Sequence, residues 1–279
     1  MSSLETNTAM FSESQRVVYS RNPLHEVICQ LQFPPILKIV GTSPFEFQEA
    51  IRAKFPSLQE RFQDEVEAPA GVPAAVLEML RSLAKRRVIG YDFTSEDNRW
   101  KVVLTRDFLA ISTGDYSRWE EFREQLTLPL QALIQVYSPS SFSRVGLRYQ
   151  NLIRRSALGL PADVNWSELI RSHVSGLLAT QHRDAVTEYQ ASAEIGLPDQ
   201  EAKVRMISGL ARLGVPSNEQ CFVIDNDFYT ERKTNASDVD STLRYFNEQS
   251  GRLFRWCIQD KLHAIMEPKP VSSVSPFGS

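Results

Sequence analysis

Between Glu26 and Phe33 the chain is β-branched and apolar at alternate positions, and Pro34-Pro35 stops the run, which predicts a strand. Ser43-Pro44-Phe45-Glu46 reads as a helix start, with Ser43 as N-cap, Pro44 at the first helical position and Glu46 closing a capping box. Phe47, Ile51, Phe55 and Leu58 follow at helical spacing, and Pro56 ends or kinks that helix. Ala74 to Lys85 predicts a short helix, preceded by a Pro- and Gly-containing loop from Glu65 to Pro73. Val88–Thr94, Trp100–Thr105 and Phe108–Thr113 are strand-like runs, and their short polar connections favour antiparallel hairpins. A long helix follows from Ser117 or Trp119 to Tyr137, with Phe122, Leu126, Leu130, Leu133 and Ile134 on one face and Pro129 as a kink.

The order then repeats. Phe142 to Ile153 predicts a strand, and Asn165 or Trp166 to Gln181 a helix. Ala185–Ile195 and Ala202–Leu213 form a hairpin, and Cys221–Thr230 is a further strand. A last long helix, capped by Ser237 or Asp238, runs through Val239, Leu243, Phe246, Leu253, Cys257, Leu262 and Ile265. The predicted fold is α+β, with two pseudo-duplicated halves, 21–140 and 141–267, each strand, helix, three strands, helix. The duplication lies in element order, since the halves share negligible residue identity. Two such halves build a curved antiparallel sheet with the long helices on one face, similar in architecture to the saddle of TATA-binding proteins, and leave the other face open. Residues 1–20 read as a flexible N-terminal segment and 268–279, rich in Pro, Ser and Gly, as a disordered tail.

Charge and composition narrow the function. Of 279 residues, 34 are acidic and 31 basic, a net charge of -3, which argues against a chain devoted to coating phosphate backbone. Hydrophobic residues at 42% and charged residues at 23% are those of an ordinary globular chain. No apolar run approaches the roughly 20 residues a membrane span needs, and no signal peptide is visible, so the expected location is cytoplasmic, without membrane contact. The three cysteines, Cys29, Cys221 and Cys257, are widely spaced in apolar strings and read as buried thiols. His25, His173, His182 and His263 show no metal-ligand spacing, and neither a glycine-rich phosphate loop nor a nucleophile elbow is present. The reading therefore carries no catalytic residue, cofactor or metal.

The most informative polar set lies on two strands of the second half. Period-two alternation puts Arg144, Arg148 and Gln150 on one face of Phe142–Ile153, with Val145, Leu147 and Tyr149 opposite. On Cys221–Thr230 it groups Asp225, Asp227 and Tyr229 against Phe222, Ile224 and Phe228. With apolar faces inward, the arginines and aspartates share the open face, either as a solvated cross-strand ladder or as a polar recognition patch. These six residues are the candidate partner- or ligand-binding set. Phe254 and Trp256 cannot both face the core beside Leu253, which leaves one of them for an interface.

The runs Asn22–Phe33, Arg144–Ile153 and Phe222–Tyr229, with Lys261–Met266 at the end of the last helix, resemble a sporadically distributed family of uncharacterised prokaryotic proteins of about 250 residues. The resemblance spans nearly the whole body, and Asp225 and Asp227 match the family's Asp-x-Asp string. Gln32 departs from it, standing where the family usually carries Arg. The family has no established activity, and its patchy distribution implies an accessory role, as in a defence or toxin–antitoxin-like operon. Together these readings point to a non-enzymatic binding or regulatory module that engages a protein or ligand through the open sheet face. Nucleic-acid binding by the same face is the first alternative, and an enzyme of another class the second.

Overall fold

A computed structural model describes residues 10–11, 14–63 and 87–271. Nine strands form one antiparallel sheet in the order β3-β4-β5-β6-β2-β7-β10-β9-β8. Their ranges are β2 Leu24–Gln32, β3 Ser57–Phe62, β4 Val88–Thr94, β5 Trp100–Thr105, β6 Phe108–Thr113, β7 Arg144–Ile153, β8 Gln190–Gly196, β9 Ala202–Arg212 and β10 Gln220–Thr230. At the centre β2 meets β7, with Cys29 opposite Leu147 and Ile28 opposite Arg148. A separate two-stranded ribbon pairs β1, Val17–Tyr19, with β11, Pro268–Pro270.

Side-chain alternation decides which face is covered. Val27, Cys29, Leu31, Val102, Leu104, Leu147, Ile224 and Phe228 all point to one side and are fully buried. The two long helices, α3 (Trp119–Tyr137) and α5 (Val239–Cys257), lie on that side together with α1 (Lys38–Gly41) and α2 (Phe45–Ile51). Aromatic contacts tie this layer down: Phe47 to Phe93 at 5.4 Å, Phe122 to Trp100 at 5.6 Å and Phe246 to Phe228 at 6.4 Å between ring centroids. Each such side chain contributes about 1.5–3 kcal/mol through its removal from water. The result is a mixed α+β fold of one large antiparallel sheet and a helical layer. Among the described residues no helix is long and apolar enough to cross a membrane.

The three strands from Val88 to Thr113 stand where expected. Several other elements differ. The helix that starts at Phe45 ends at Ile51, and Leu58 lies past Pro56 on the edge strand β3. Neither Ser43 nor a capping box closes its N-terminus, and Glu46 pairs instead with Lys38. Pro129 is accommodated inside a continuous α3. Ser237 and Asp238 sit in a 3-10 turn before α5, and neither side chain caps it.

The helix expected over 165–181 is broken into a 3-10 turn at Trp166–Glu168, a single α-turn α4 at Ser172–Ser175 and a further 3-10 turn. The first break lies at the extended Arg171, beside the bridge from Ile170 to Ile258, and Gly176 makes the second. Its φ of +49° is left-handed, and a Cβ there would collide with the Tyr189 hydroxyl, which donates to the Val174 carbonyl at 3.0 Å. The terminal helix also divides. It stops at Cys257 so that Ile258 can bridge to Ile170, and it resumes as α6, Asp260–Ile265.

Both chain ends depart from the expected picture. Val17–Tyr19, within the segment read as flexible, pairs with Pro268–Pro270, within the segment read as a disordered tail. Phe11 is buried 5.7 Å from Trp256, which also stacks on His173. Trp256, the aromatic residue left over from the core, is thus covered in part by the protein's own N-terminal segment. The helix expected over Ala74–Lys85 and the loop before it lie outside the described residues, as does the chain after Val271.

Candidate functional site

All six sequence-selected residues lie on the sheet face opposite the helices, at the meeting of β7 and β10. In register, Arg148 stands across from Asp227 and Gln150 across from Asp225. The ion pairs run diagonally instead, in reach of long side chains on a twisted sheet. Arg148 grips Asp225 with two nitrogens, Nε at 2.8 Å and Nη2 at 2.5 Å. Arg144 donates to Asp227 at 2.8 Å and to Gln30 Oε1 of β2 at 3.4 Å, and its guanidinium lies 4.8 Å over the Tyr229 ring. Gln150 reaches Asp225 only at 3.5 Å. Tyr229 donates to Glu194 of β8 at 2.6 Å, and Glu194 also pairs with Lys203 and Arg205 of β9. Gly146 opens the space: a methyl group there would collide with the Arg144 guanidinium folded across the strand.

Three arginine–carboxylate groups thus occupy one polar face. Arg61 and Lys101 flank Asp92 at the other end of the sheet and extend it. Burial depends on position. The Asp225 side chain is 11% exposed and that of Arg148 40%. Burial raises the Asp227 pKa above the ordinary carboxylate value, and the adjacent Arg144 and Arg148 only partly offset the shift. A hydrogen bond from Tyr229, with a second from Lys203, holds Glu194 below its ordinary value.

The Asp227 shift has a testable sign. A carboxylate whose folded pKa is raised lowers stability above that pKa, and the deficit vanishes as pH falls below the unfolded value near 3.8. Asp227→Asn is therefore expected to be at least as stable as the parent at pH 7, with its advantage shrinking toward pH 3. Urea unfolding of both proteins at the two pH values checks this. A variant less stable at pH 7 that converges from below would show that the Arg144 pair outweighs desolvation.

The same two strands carry a second polar group on their other face, and the sequence reading passed over it. Asn151 and Tyr149 of β7 and Asn226 of β10 point toward the helices and are almost fully buried. They line a cavity of about 330 Å³ between α3 and α5. Tyr149 donates to Asn247 Oδ1 of α5 at 3.0 Å, and Asn151 to the Ile224 carbonyl at 3.2 Å. Asn226 Oδ1 is buried with no hydrogen-bond partner. An unmet buried acceptor costs on the order of 1–3 kcal/mol, so a native fold that retains one invites an explanation.

The segment Ser14 to Leu24 roofs this cavity. It is fastened by the β1–β11 ribbon, by Arg16 forking onto Glu120 at 2.8 and 3.0 Å, and by Tyr19 hydrogen-bonding His263 Nδ1 at 2.9 Å. Burial pushes Tyr19 up to about 12 and lowers His263. The sequence does contain a signal for this site. Asn226 interrupts the inward phase Ile224–Asn226–Phe228, and Asn151 that of Tyr149–Asn151–Ile153. An amide at the inward phase of an apolar strand is more informative than a charge at the outward phase.

All three cysteines are buried, and burial raises the pKa of each thiol. Among the described residues no group of three His, Cys, Asp or Glu side chains is arranged to hold a metal ion. No protein-family model matches the chain, and no curated protein matches it significantly.

Proposed function

We propose that this chain is a non-enzymatic, cytoplasmic binding module, an accessory protein of a defence or toxin–antitoxin-like operon, that docks a protein partner on its open sheet face. The observation that carries the reading is the Arg144–Asp227 and Arg148–Asp225 pair of bridges, fixed at the centre of a sheet face on which none of the described helices packs. A bidentate pair presents its outer donor and acceptor edges in fixed positions, which favours a partner with an equally patterned polar surface. The finer architecture belongs to the same proposal. Inward from the edges the strand order reads β3-β4-β5-β6-β2 on one side and β8-β9-β10-β7 on the other, and apart from the extra edge strand β3 the shared order supports two duplicated halves joined at β2–β7. The twist of nine antiparallel strands makes the open face a saddle.

The charge pattern supports a protein partner over nucleic acid. Arg61, Lys101, Arg144, Arg148, Lys203 and Arg205 each contact a carboxylate on the same face, so a phosphate backbone would meet acids wherever it met bases. The test uses the full chain as bait beside Arg148→Glu and the more exposed Arg205→Glu, with folding verified by circular dichroism. Partners held by the parent are expected to be lost from both variants, and labelled DNA or RNA to pass through a filter at low salt. A partner held equally by all three proteins overturns the docking face, and retained nucleic acid transfers the face to the other class.

A further inference from the structure

We propose that the cavity between α3 and α5 is a nucleotide site, taking the base inward against Asn226 and leaving the phosphate at the arginine rim. This site is independent of the docking face, since it lies on the opposite side of the sheet. Its volume of about 330 Å³ falls within the usual range for small-ligand pockets.

The lining changes character with depth. The buried part consists of Trp119, Tyr149, Asn151, Asn226, Ser250 and Phe254, without a charged group among them. A carboxylate or ammonium pushed to this depth would lose its hydration and meet no counter-charge. A flat, uncharged ring with adjacent donor and acceptor meets carboxamides that offer both, and one of these acceptors, Asn226 Oδ1, has no other partner. Aromatic rings stand alongside: Tyr116 lies edge-on to Tyr149 at 5.9 Å, and Trp119 and Phe254 complete the apolar wall. Such surfaces favour planar ligands.

The mouth is different. Arg16 and Arg255 line it but are engaged by Glu120 and Asp260. Arg118 and Arg252 line it with no ion-pair or hydrogen-bond partner among the described residues, and Glu248 is the one acidic residue beside them. A guanidinium fork matches the oxygens of a phosphate in bidentate fashion. A neutral, amide-floored interior and a cationic mouth together describe a base joined to a phosphate.

The experiment is calorimetric titration of the full chain with the common nucleoside monophosphates and, in parallel, their nucleosides. At least one monophosphate is expected to bind more tightly than its nucleoside. Asn226→Leu is expected to weaken both by about ten-fold or more while the protein melts at or above the parent temperature. Should that variant fail to fold, Asn247→Leu, on the half-buried surface of α5, serves in its place. Arg118→Ala with Arg252→Ala is expected to bring monophosphate affinity down to that of the nucleoside and to leave the nucleoside affinity unchanged. The proposal is overturned if no nucleotide binds, which leaves a water-filled cavity. It is equally overturned if binding survives the Asn226 and Asn247 replacements in folded protein, or if the arginine variants weaken nucleoside and monophosphate alike.

Discussion

Leu147→Ala is expected to destabilise the whole chain by about 2–5 kcal/mol and to do so in a single unfolding transition. Leu147 is fully buried on β7, directly between Cys29 of β2 and Phe228 of β10. It therefore sits at the seam where the two sides of the sheet join, beneath the helical layer. Removing three carbons there leaves a cavity that the surrounding strands cannot fill, because each is fixed by ladders on both sides. The seam also determines the shape of the transition. β2–β7 pairing is continuous with the strands on either side, so neither side of the sheet ends in a finished edge at that point. Urea unfolding followed by tryptophan fluorescence reads one half through Trp100 and Trp119, and the other through Trp166 and Trp256. Circular dichroism reads both. Coincident midpoints, shifted together by the substitution, are the expected result. A biphasic curve in which one side melts first would show that the two sides are separate folding units.

What the sequence revealed and what it concealed follow from the same periodicity. Val88–Thr94, Trp100–Thr105 and Phe108–Thr113 were legible because each is a short apolar run of strand length bounded by tight polar turns. Arg144, Arg148, Asp225 and Asp227 were placed on one face by period-two alternation, and the structure brings them within bonding distance. Their diagonal pairing was not legible, because it depends on sheet twist and on the room Gly146 leaves for a guanidinium. Leu169, His173 and Leu177 mimic a helical face over 165–181, yet the bridge from Ile170 to Ile258 and a left-handed glycine beneath Tyr189 break it. β3 was hidden because Leu58 falls in phase with the helix before it, although Pro56 separates the two. The cavity was hidden by a different cause. Tyr149 was counted with the apolar face, which is correct for its ring and not for its hydroxyl, and the inward amides of Asn151 and Asn226 were given no weight.

Arg144 is the residue whose replacement separates an ordered lattice from a collection of surface pairs. Its side chain is 17% exposed, that of Asp227 is 29% exposed, and the guanidinium contacts three groups on two neighbouring strands. Arg144→Ala removes the Asp227 partner, the Gln30 contact and the cover over Tyr229 together, and leaves a carboxylate whose burial already raises its pKa. The expected cost is about 1–3 kcal/mol, below that of a fully buried pair because water still reaches both groups. Asp227→Ala is expected to cost little or nothing, since it removes a carboxylate disfavoured by burial while arginine keeps Gln30 and the Tyr229 ring. Replacing both, Arg144→Ala with Asp227→Ala, is expected to recover most of the loss, because no charge is then left unpaired. The cycle thus yields a coupling of about 1–2 kcal/mol, measured by urea unfolding at pH 7. Additive losses would mean that each side chain is solvated by itself and that the diagonal bridges hold nothing in position. A clear coupling would mean that the central charges are set by the sheet before any partner arrives, and binding then need not spend free energy to order them.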